Sequence, residues 1–234
     1  MLTPINIEAT NLPDAWFQTL YKIVDKGRNF KIDQGSFAGQ NRKEFDYITI
    51  HIKHPDKGSL IPELPEGSTI PNPVDREYLD DYLPYLMTGI EKEGELYTYG
   101  QRIVADGCDQ MQTAIDRYRK LGHRNNQLIM QIGKPTDMYL EDPPCLRHID
   151  TRIQDGKLHF FPYFRSWDLF GGFPANLAAI EMMKQYMASE IGVENGEIIA
   201  SSKGLHIYQY VWEIAEAIRG KSIDQFKEEM NNLS

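Results

Sequence analysis

Arg165-Ser166-Trp167-Asp168-Leu169-Phe170-Gly171-Gly172-Phe173-Pro174-Ala175-Asn176 leaves a run of strand formers and enters a helical apolar pattern. It is a strand-to-helix turn that carries a guanidinium, a hydroxyl, a carboxylate, adjacent glycines and a side-chain amide. Arginine and serine suit a phosphate, a carboxylate accepts from ring N–H groups, and an amide can read a heterocycle edge. Shortly before it stands Pro143-Pro144-Cys145, whose thiol is a candidate nucleophile. Together they read as the floor of a small-molecule site. Singly, each has a plainer role: Arg165 and Asp168 as an ion pair, Trp167 as packing, Asn176 as a helix cap, Cys145, Tyr99, His206 and Tyr208 as core residues, Arg28 and Arg124 as solvated charges.

Working outward, residues 146–153 and 158–164 form the arms of a hairpin around Asp155-Gly156, with a loop of two residues or more. After the turn, Pro174 fits a helix's first turn, Ala178, Ile180, Met183, Met187 and Ile191 supply an apolar face, and Gly192 ends it. Residues 197–208 read as one last strand, with His206 and Tyr208 on the same face, and residues 211–232 as a helix. Upstream, Ile48, Ile50 and Ile52 alternate as in a half-buried strand, and residues 54–74 are a Pro/Gly/Ser-rich surface loop. Residues 75–89 are helical, with Pro84 kinking or dividing them and Leu79, Tyr82, Leu83 and Leu86 as a core stripe. A turn at Glu93-Gly94, a helix over 110–120 and a short strand over 128–132 complete the pattern. This predicts an α/β protein of the α+β type, not regular βαβ alternation.

The 234 residues, 41% of them hydrophobic, suffice for one sizeable domain spanning 1–234. A formal charge of −9 argues against nucleic acid as the main partner, so an anionic substrate needs a local arginine cluster. Cys108 and Cys145 sit in no metal-binding spacing, so no metal is expected, and the N-terminus lacks the pattern of a signal peptide. The apolar stretches are too interrupted to span a membrane. A cytoplasmic protein is the expectation.

The order Pro143-Pro144-Cys145, Tyr163-Phe164-Arg165-Ser166-x-Asp168, Gly172-x-Pro174-x-Asn176 and His206-x-Tyr208 resembles the thymidylate synthase and pyrimidine-nucleotide hydroxymethylase superfamily, above all its short archaeal branch. Upstream, Gly94 to Arg102 resembles the segment that bears that family's active-site tyrosine, with Tyr99-Gly100 as the matching pair. The likeness is specific over 145–208 and faint over 1–90. It implies a mixed sheet with flanking helices, packed at a homodimer interface. It also implies that Cys145 adds to carbon 6 of a pyrimidine nucleoside monophosphate, making carbon 5 nucleophilic toward a one-carbon donor. Cys145, Tyr99 and Arg165 are then the catalytic residues, Arg165 helping to lower a thiol pKa of about 8.5. Arg165 and Ser166 would hold the phosphate, joined by Arg28, whose register rests on Gly35-Ser36-Phe37 and Arg42, and by Arg124. His206 and Tyr208 would bind the sugar hydroxyl. Asp168 would accept from the ring of a reduced pterin, with Gly171 and Gly172 leaving room. The donor co-substrate resembles methylene-tetrahydrofolate or a methylene-tetrahydromethanopterin-type pterin.

Base choice rests on Asn176, whose amide offers a donor to O4 of uracil and an acceptor to its N3–H; cytosine reverses both unless the amide flips. That favours reductive methylation of dUMP to dTMP. The alternatives are a CMP/dCMP or dUMP 5-hydroxymethylase and, ranked lower, a non-catalytic nucleotide-binding protein. The chain departs from the family pattern at Leu146 (usually histidine), Phe164 (glutamine) and Ala175 (a bulky aromatic). It also ends in KEEMNNLS where the family has a closing tail, and has Arg124 alone near the place of an Arg-Arg pair. No residue clearly matches the general-acid/base glutamate; Glu77 is a weak candidate.

Overall fold

The computed structural model describes residues 1–33, 37–65, 68–91 and 93–220. Strand β4 (Tyr47–Ile52) buries Ile48, Ile50 and Ile52 and turns Tyr47, Thr49 and His51 to the other face, as period-two alternation requires. It lies in a six-stranded mixed sheet of order β1 (Pro4–Ala9), β4, β9 (Glu194–Ser202), β7 (Lys157–Phe164), β6 (Leu146–Gln154), β5 (Ile129–Gln131). The β1/β4 and β9/β7 pairs are parallel, and the other three antiparallel. A four-stranded sheet follows the order β2 (Arg28–Lys31), β3 (Asn41–Glu44), β10 (Leu205–Tyr208), β8 (Trp167–Asp168). Two mixed sheets with helices between and beside them make this the expected α+β fold.

Helix α4 (Gly172–Ile191) is apolar around most of its circumference, so it is buried rather than half-exposed. It packs on α1 (Leu12–Lys26), α2 (Arg76–Met87) and α3 (Gln110–Leu121) and on β7, β8 and β9. Its two buried charges satisfy each other: Lys184 Nζ lies 3.0 Å from Glu181 Oε2 and also donates to Gly196 O, while Asn195 Nδ2 donates to Glu181 Oε1 at 2.7 Å. Burial pushes the Glu181 carboxyl up and the Lys184 ammonium down, and the attraction between them opposes both shifts. The bonds reach the start of β9, so the pair also fixes the helix on the sheet.

The hairpin loop has two residues: Gln154 pairs with Lys157, and Asp155 (φ 52°) and Gly156 (φ 74°) take the left-handed conformations of a tight turn. Helix α2 holds Pro84 within it and is capped by the Asp75 side chain, which accepts from Tyr78 N at 2.7 Å. Two expectations are corrected. Residues 197–208 are two strands in different sheets, because Gly204, with N–H bonded to Ser202 Oγ at 3.2 Å, turns the chain from β9 into β10. The helix expected over 211–232 is α5 (Trp212–Arg219), ended by left-handed Gly220 (φ 91°), and positions beyond 220 lie outside the described residues. Helix α1 and strands β1, β2, β3 and β8 lie where the sequence reading assigned no element, although Asn11, whose side chain caps α1 by accepting from Asp14 N at 3.0 Å, is a legible start signal.

Gly100 sets where α2 ends. A Cβ there would lie 2.0 Å from Thr88 O and 2.8 Å from Thr88 N, so even a methyl group displaces backbone. Gly100→Ala is expected to destabilise the protein by about 2–3 kcal/mol, read as a lower urea midpoint at unchanged slope.

Candidate active site

Two successive prolines offer carbonyls but no N–H groups, and Arg165 supplies the missing donors. Its Nε donates to Pro143 O and Pro144 O, each at 3.2 Å, and its Nη2 donates to Asp142 Oδ1 at 3.1 Å and to Pro143 O. Its backbone N donates to Cys145 O at 2.8 Å. From the other side, Arg147 Nη1 donates to Pro144 O at 3.3 Å and to Asp137 Oδ2 at 3.0 Å, and Arg102 Nη2 to Asp137 Oδ1 at 3.0 Å. The Tyr97 hydroxyl donates to Asp142 O at 3.2 Å, and the Tyr99 hydroxyl accepts from Leu146 N at 3.3 Å. The segment 142–146 is thus held on all sides, with the Cys145 thiol half-buried and free.

Arg165 and Asp168 are not an ion pair. Asp142 pairs with Arg165, while the Asp168 carboxylate accepts from Phe170 N, Gly171 N and Gly172 N, each at 3.2 Å. Asp168 therefore shapes the turn that starts α4. The thiol also departs from expectation: burial pushes Cys145 above its ordinary value, and although Arg165 and Arg147 pull it down against Asp142, burial prevails.

Asn176 does not cap α4, which begins with Gly171 at its N-cap. Its Oδ1 accepts from Trp167 Nε1 at 2.9 Å and its Nδ2 donates to the Tyr82 hydroxyl at 2.6 Å. Trp167 is clamped between Phe164 (centroids 4.0 Å apart) and Phe173 (4.5 Å). Tyr82 belongs to a run of rings, 5.6 Å from Tyr85, which is 5.1 Å from Tyr99, which is 6.5 Å from Tyr97. Burial raises the pKa of all four hydroxyls, Tyr97 to about 12, and each also feels the Cys145 thiol. A cleft of about 380 Å³ lined by Tyr78, Asp81, Tyr82 and Tyr85 opens beside them.

His206 and Tyr208 share a face of β10, their rings 4.7 Å apart and edge-on. His206 Nδ1 bonds to Gly204 O at 2.9 Å, which makes Nδ1 the protonated nitrogen and leaves Nε2 an acceptor. That buried Nε2 has no hydrogen-bond partner among the described residues. Burial lowers the His206 pKa and raises that of Tyr208 to about 12. Register places His206 between Glu44 and Asp168, and Arg42 opposite Tyr208, with Arg42 paired to Glu44 at 2.6 Å.

Cys145, Tyr99, Arg165, Ser166, Asp168, Gly172, Asn176, His206 and Tyr208 thus gather where the two sheets meet at α4. Other candidates bond elsewhere or lie apart. Arg28 stands in register with Glu44 and through it with His206, but its side chain is taken up by Met1 O at 2.6 Å and Asp46 at 3.1 Å; Gly35 and Ser36 lie outside the described residues. Arg124 lines a cavity of about 680 Å³ with His123, Asn126, Arg152 and Gln154 at the hairpin tip. The tip is the far end of β6 from Cys145, roughly 25–30 Å away at 3.3 Å per residue. Glu77 is exposed in the first turn of α2. The sequence reading missed Tyr82 and Trp167, both read as packing, and Arg147. A stripe of core-like spacing hides a hydroxyl turned to a site, but an indole N–H beside a site asparagine was a signal that a partner had to exist.

The family model for thymidylate synthase matches residues 74–232. The chain is 29% identical to a "Putative thymidylate synthase" of Methanosarcina acetivorans, covering 91% of this chain and 93% of that one. Proteins of the same name from Methanothermobacter thermautotrophicus (28% identity; 91% and 97% covered) and Methanopyrus kandleri (23%; 88% and 94%) are also similar.

In a Cys108→Ser background, the pH profile of Cys145 alkylation by iodoacetamide is expected to have its midpoint above that of an ordinary thiol. Arg165→Gln removes the leading opposing charge, so the midpoint moves higher still; a downward move would contradict the electrostatic account.

Proposed function

Because the chain belongs to the thymidylate synthase family and is therefore a one-carbon transferase, we propose that it converts dUMP to dTMP with a methylene-tetrahydropterin of the folate or methanopterin type. The observation that carries this reading is the meeting of the Cys145 thiol, Arg165 and the Tyr82–Asn176 contact on one floor. Arg165, with Ser166 beside it, takes the phosphate, which replaces the exposed Asp142 carboxylate as its partner. His206 Nε2, a buried acceptor without a partner among the described residues, takes a hydrogen bond from the sugar hydroxyl next to Tyr208. Asn176 holds the base edge. The Cys145 thiolate then adds to carbon 6, the electrons of the C5–C6 double bond move toward O4, and carbon 5 becomes the nucleophile.

The pterin supplies the one-carbon unit and the hydride when bound. Asp168 fits one ring N–H group, because three backbone donors leave one of the roughly four lone-pair sites of a carboxylate free, on Oδ1. Gly172 leaves space beside Asp168: a Cβ there would make only ordinary contact with the protein, 3.5 Å from Asp168 Cβ, so its role in this reading is room for the pterin.

We place a second copy on the outer face of the six-stranded sheet. That placement is supported by Tyr47, Phe161, Tyr163 and Ile199, which leave that face only partly covered, with His148 and Tyr163 stacked at 5.6 Å. Arg124, far from its own Cys145, would then serve the partner's phosphate. One apolar cluster joins both sheets, which supports residues 1–234 acting as one domain. Two free thiols fit the reducing cytoplasm, and no helix among the described residues is long and apolar enough to cross a membrane.

The test is product mass spectrometry with dUMP, dCMP or CMP and each pterin donor. Methylated dUMP that disappears in Cys145→Ala is expected, whereas a hydroxymethylated cytidylate, or no product with either donor, overturns the assignment. Sedimentation at low micromolar concentration is expected to give a dimer, and a fully active monomer would remove the role given to Arg124.

A further inference from the structure

We infer that Trp167 is a specificity-determining residue: through its indole N–H it locks the Asn176 amide in the one orientation that accepts a 4-oxo, N3–H pyrimidine and rejects a 4-amino one. The inference rests on Asn176 being the base reader of the proposed function and goes beyond it by naming what prevents the amide from flipping.

The argument is a count of donors and acceptors. A side-chain amide has two donor hydrogens on nitrogen and two acceptor lone pairs on oxygen. In this protein Trp167 Nε1 takes one lone pair of Asn176 Oδ1 at 2.9 Å, and the Tyr82 hydroxyl takes one hydrogen of Nδ2 at 2.6 Å. One acceptor and one donor remain, which complements the N3–H donor and O4 acceptor of uracil. Cytosine, with an acceptor at N3 and a donor amine at carbon 4, meets like against like at both positions.

A flip of the amide would repair the cytosine match, so selectivity depends on what resists the flip. Tyr82 does not resist it, because a hydroxyl accepts from an NH₂ group or donates to a carbonyl equally well. An indole N–H only donates, so after a flip two donors would face each other across 2.9 Å, with the indole side of the contact buried. The indole cannot turn away: Trp167 is 2% exposed and lies between Phe164 and Phe173, its ring 6° from parallel to that of Phe164. Trp167 therefore holds the amide and touches no substrate, while Tyr82 follows whichever state the amide adopts.

The test is the ratio of dUMP to dCMP affinity, measured by calorimetric titration without pterin for the wild type and Trp167→Phe. The wild type is expected to prefer dUMP, and the variant to lose at least about tenfold of that preference, mainly by binding dCMP more tightly, given the penalty for a buried unsatisfied donor. A merely structural loss weakens both nucleotides alike and leaves the ratio unchanged. If Trp167→Phe does not fold, site-specific replacement of Trp167 by 3-benzothienylalanine, which exchanges the indole N–H for sulfur and keeps the ring shape, gives the same readout. An unchanged ratio in a wild-type protein that prefers dUMP overturns the lock and leaves the proposed function standing. A wild-type protein that prefers dCMP, or neither nucleotide, overturns both.

Discussion

The grip of Arg165 on the Pro143-Pro144 carbonyls is the constraint on which the site depends. A Pro-Pro step fixes the backbone and removes two donors, leaving carbonyls that need partners from elsewhere. Arg165, at the exit of β7, supplies them with its guanidinium and holds Cys145 O with its own N–H. Cys145 is thereby tied to the strand end that leads into Asp168 and α4, so the thiol, the carboxylate and the amide keep their spacing. Arg147, backed by the buried Arg102–Asp137 pair, repeats the grip from the opposite side. Such planar, multiply bonded contacts suit arginine; a lysine would hold one carbonyl as a point charge.

The same enclosure that positions the thiol works against its ionisation. Cys145 and the tyrosine hydroxyls around it all lean toward their neutral forms, because burial penalises charge there. Two guanidiniums oppose that penalty for Cys145 without cancelling it. In such surroundings polarity comes from fixed hydrogen-bonding groups, and these cost little reorganisation when charge develops on a bound base. The Trp167–Asn176–Tyr82 chain is of this kind: neutral, part-buried and directional.

What the sequence made legible follows from how local each feature is. The hairpin at Asp155-Gly156, the isoleucine alternation of β4, and the helix between Pro174 and Gly192 are set by neighbouring residues, and each lies where the pattern put it. The break at Gly204 was not legible, because hydropathy continues across it while the chain changes sheets. Asn176 as a cap and Arg165–Asp168 as a pair were reasonable by proximity in sequence. Both fail because the partners come from afar: Tyr82 is 94 positions from Asn176, and Asp142 is 23 from Arg165. The rise of the Cys145 pKa was hidden for a similar reason, since a cationic neighbour can be read from the sequence but the depth of burial cannot.

The change of sheet at Gly204 also brings both sheets to one floor, as the proposed nucleotide site requires. β9 belongs to the large sheet, whose β6/β7 hairpin delivers Cys145 and Arg165 at its edge, while β10 belongs to the small sheet and carries His206 and Tyr208. β8 pairs in parallel with β10 through Leu205–Trp167 and His206–Asp168, so the residues suited to sugar and pterin stand in adjacent register. Trp16 pins the following turn by donating to Leu169 O at 2.9 Å from α1. The two residues of the short strand β8, Trp167 and Asp168, thus have opposite tasks: one braces Asn176 from the core, the other shapes the turn that starts α4. If Asn176 reads the base as proposed, a substitution in that dipeptide acts on recognition through the packing beneath it, and a tryptophan that looks like core in the sequence then governs which base the site accepts.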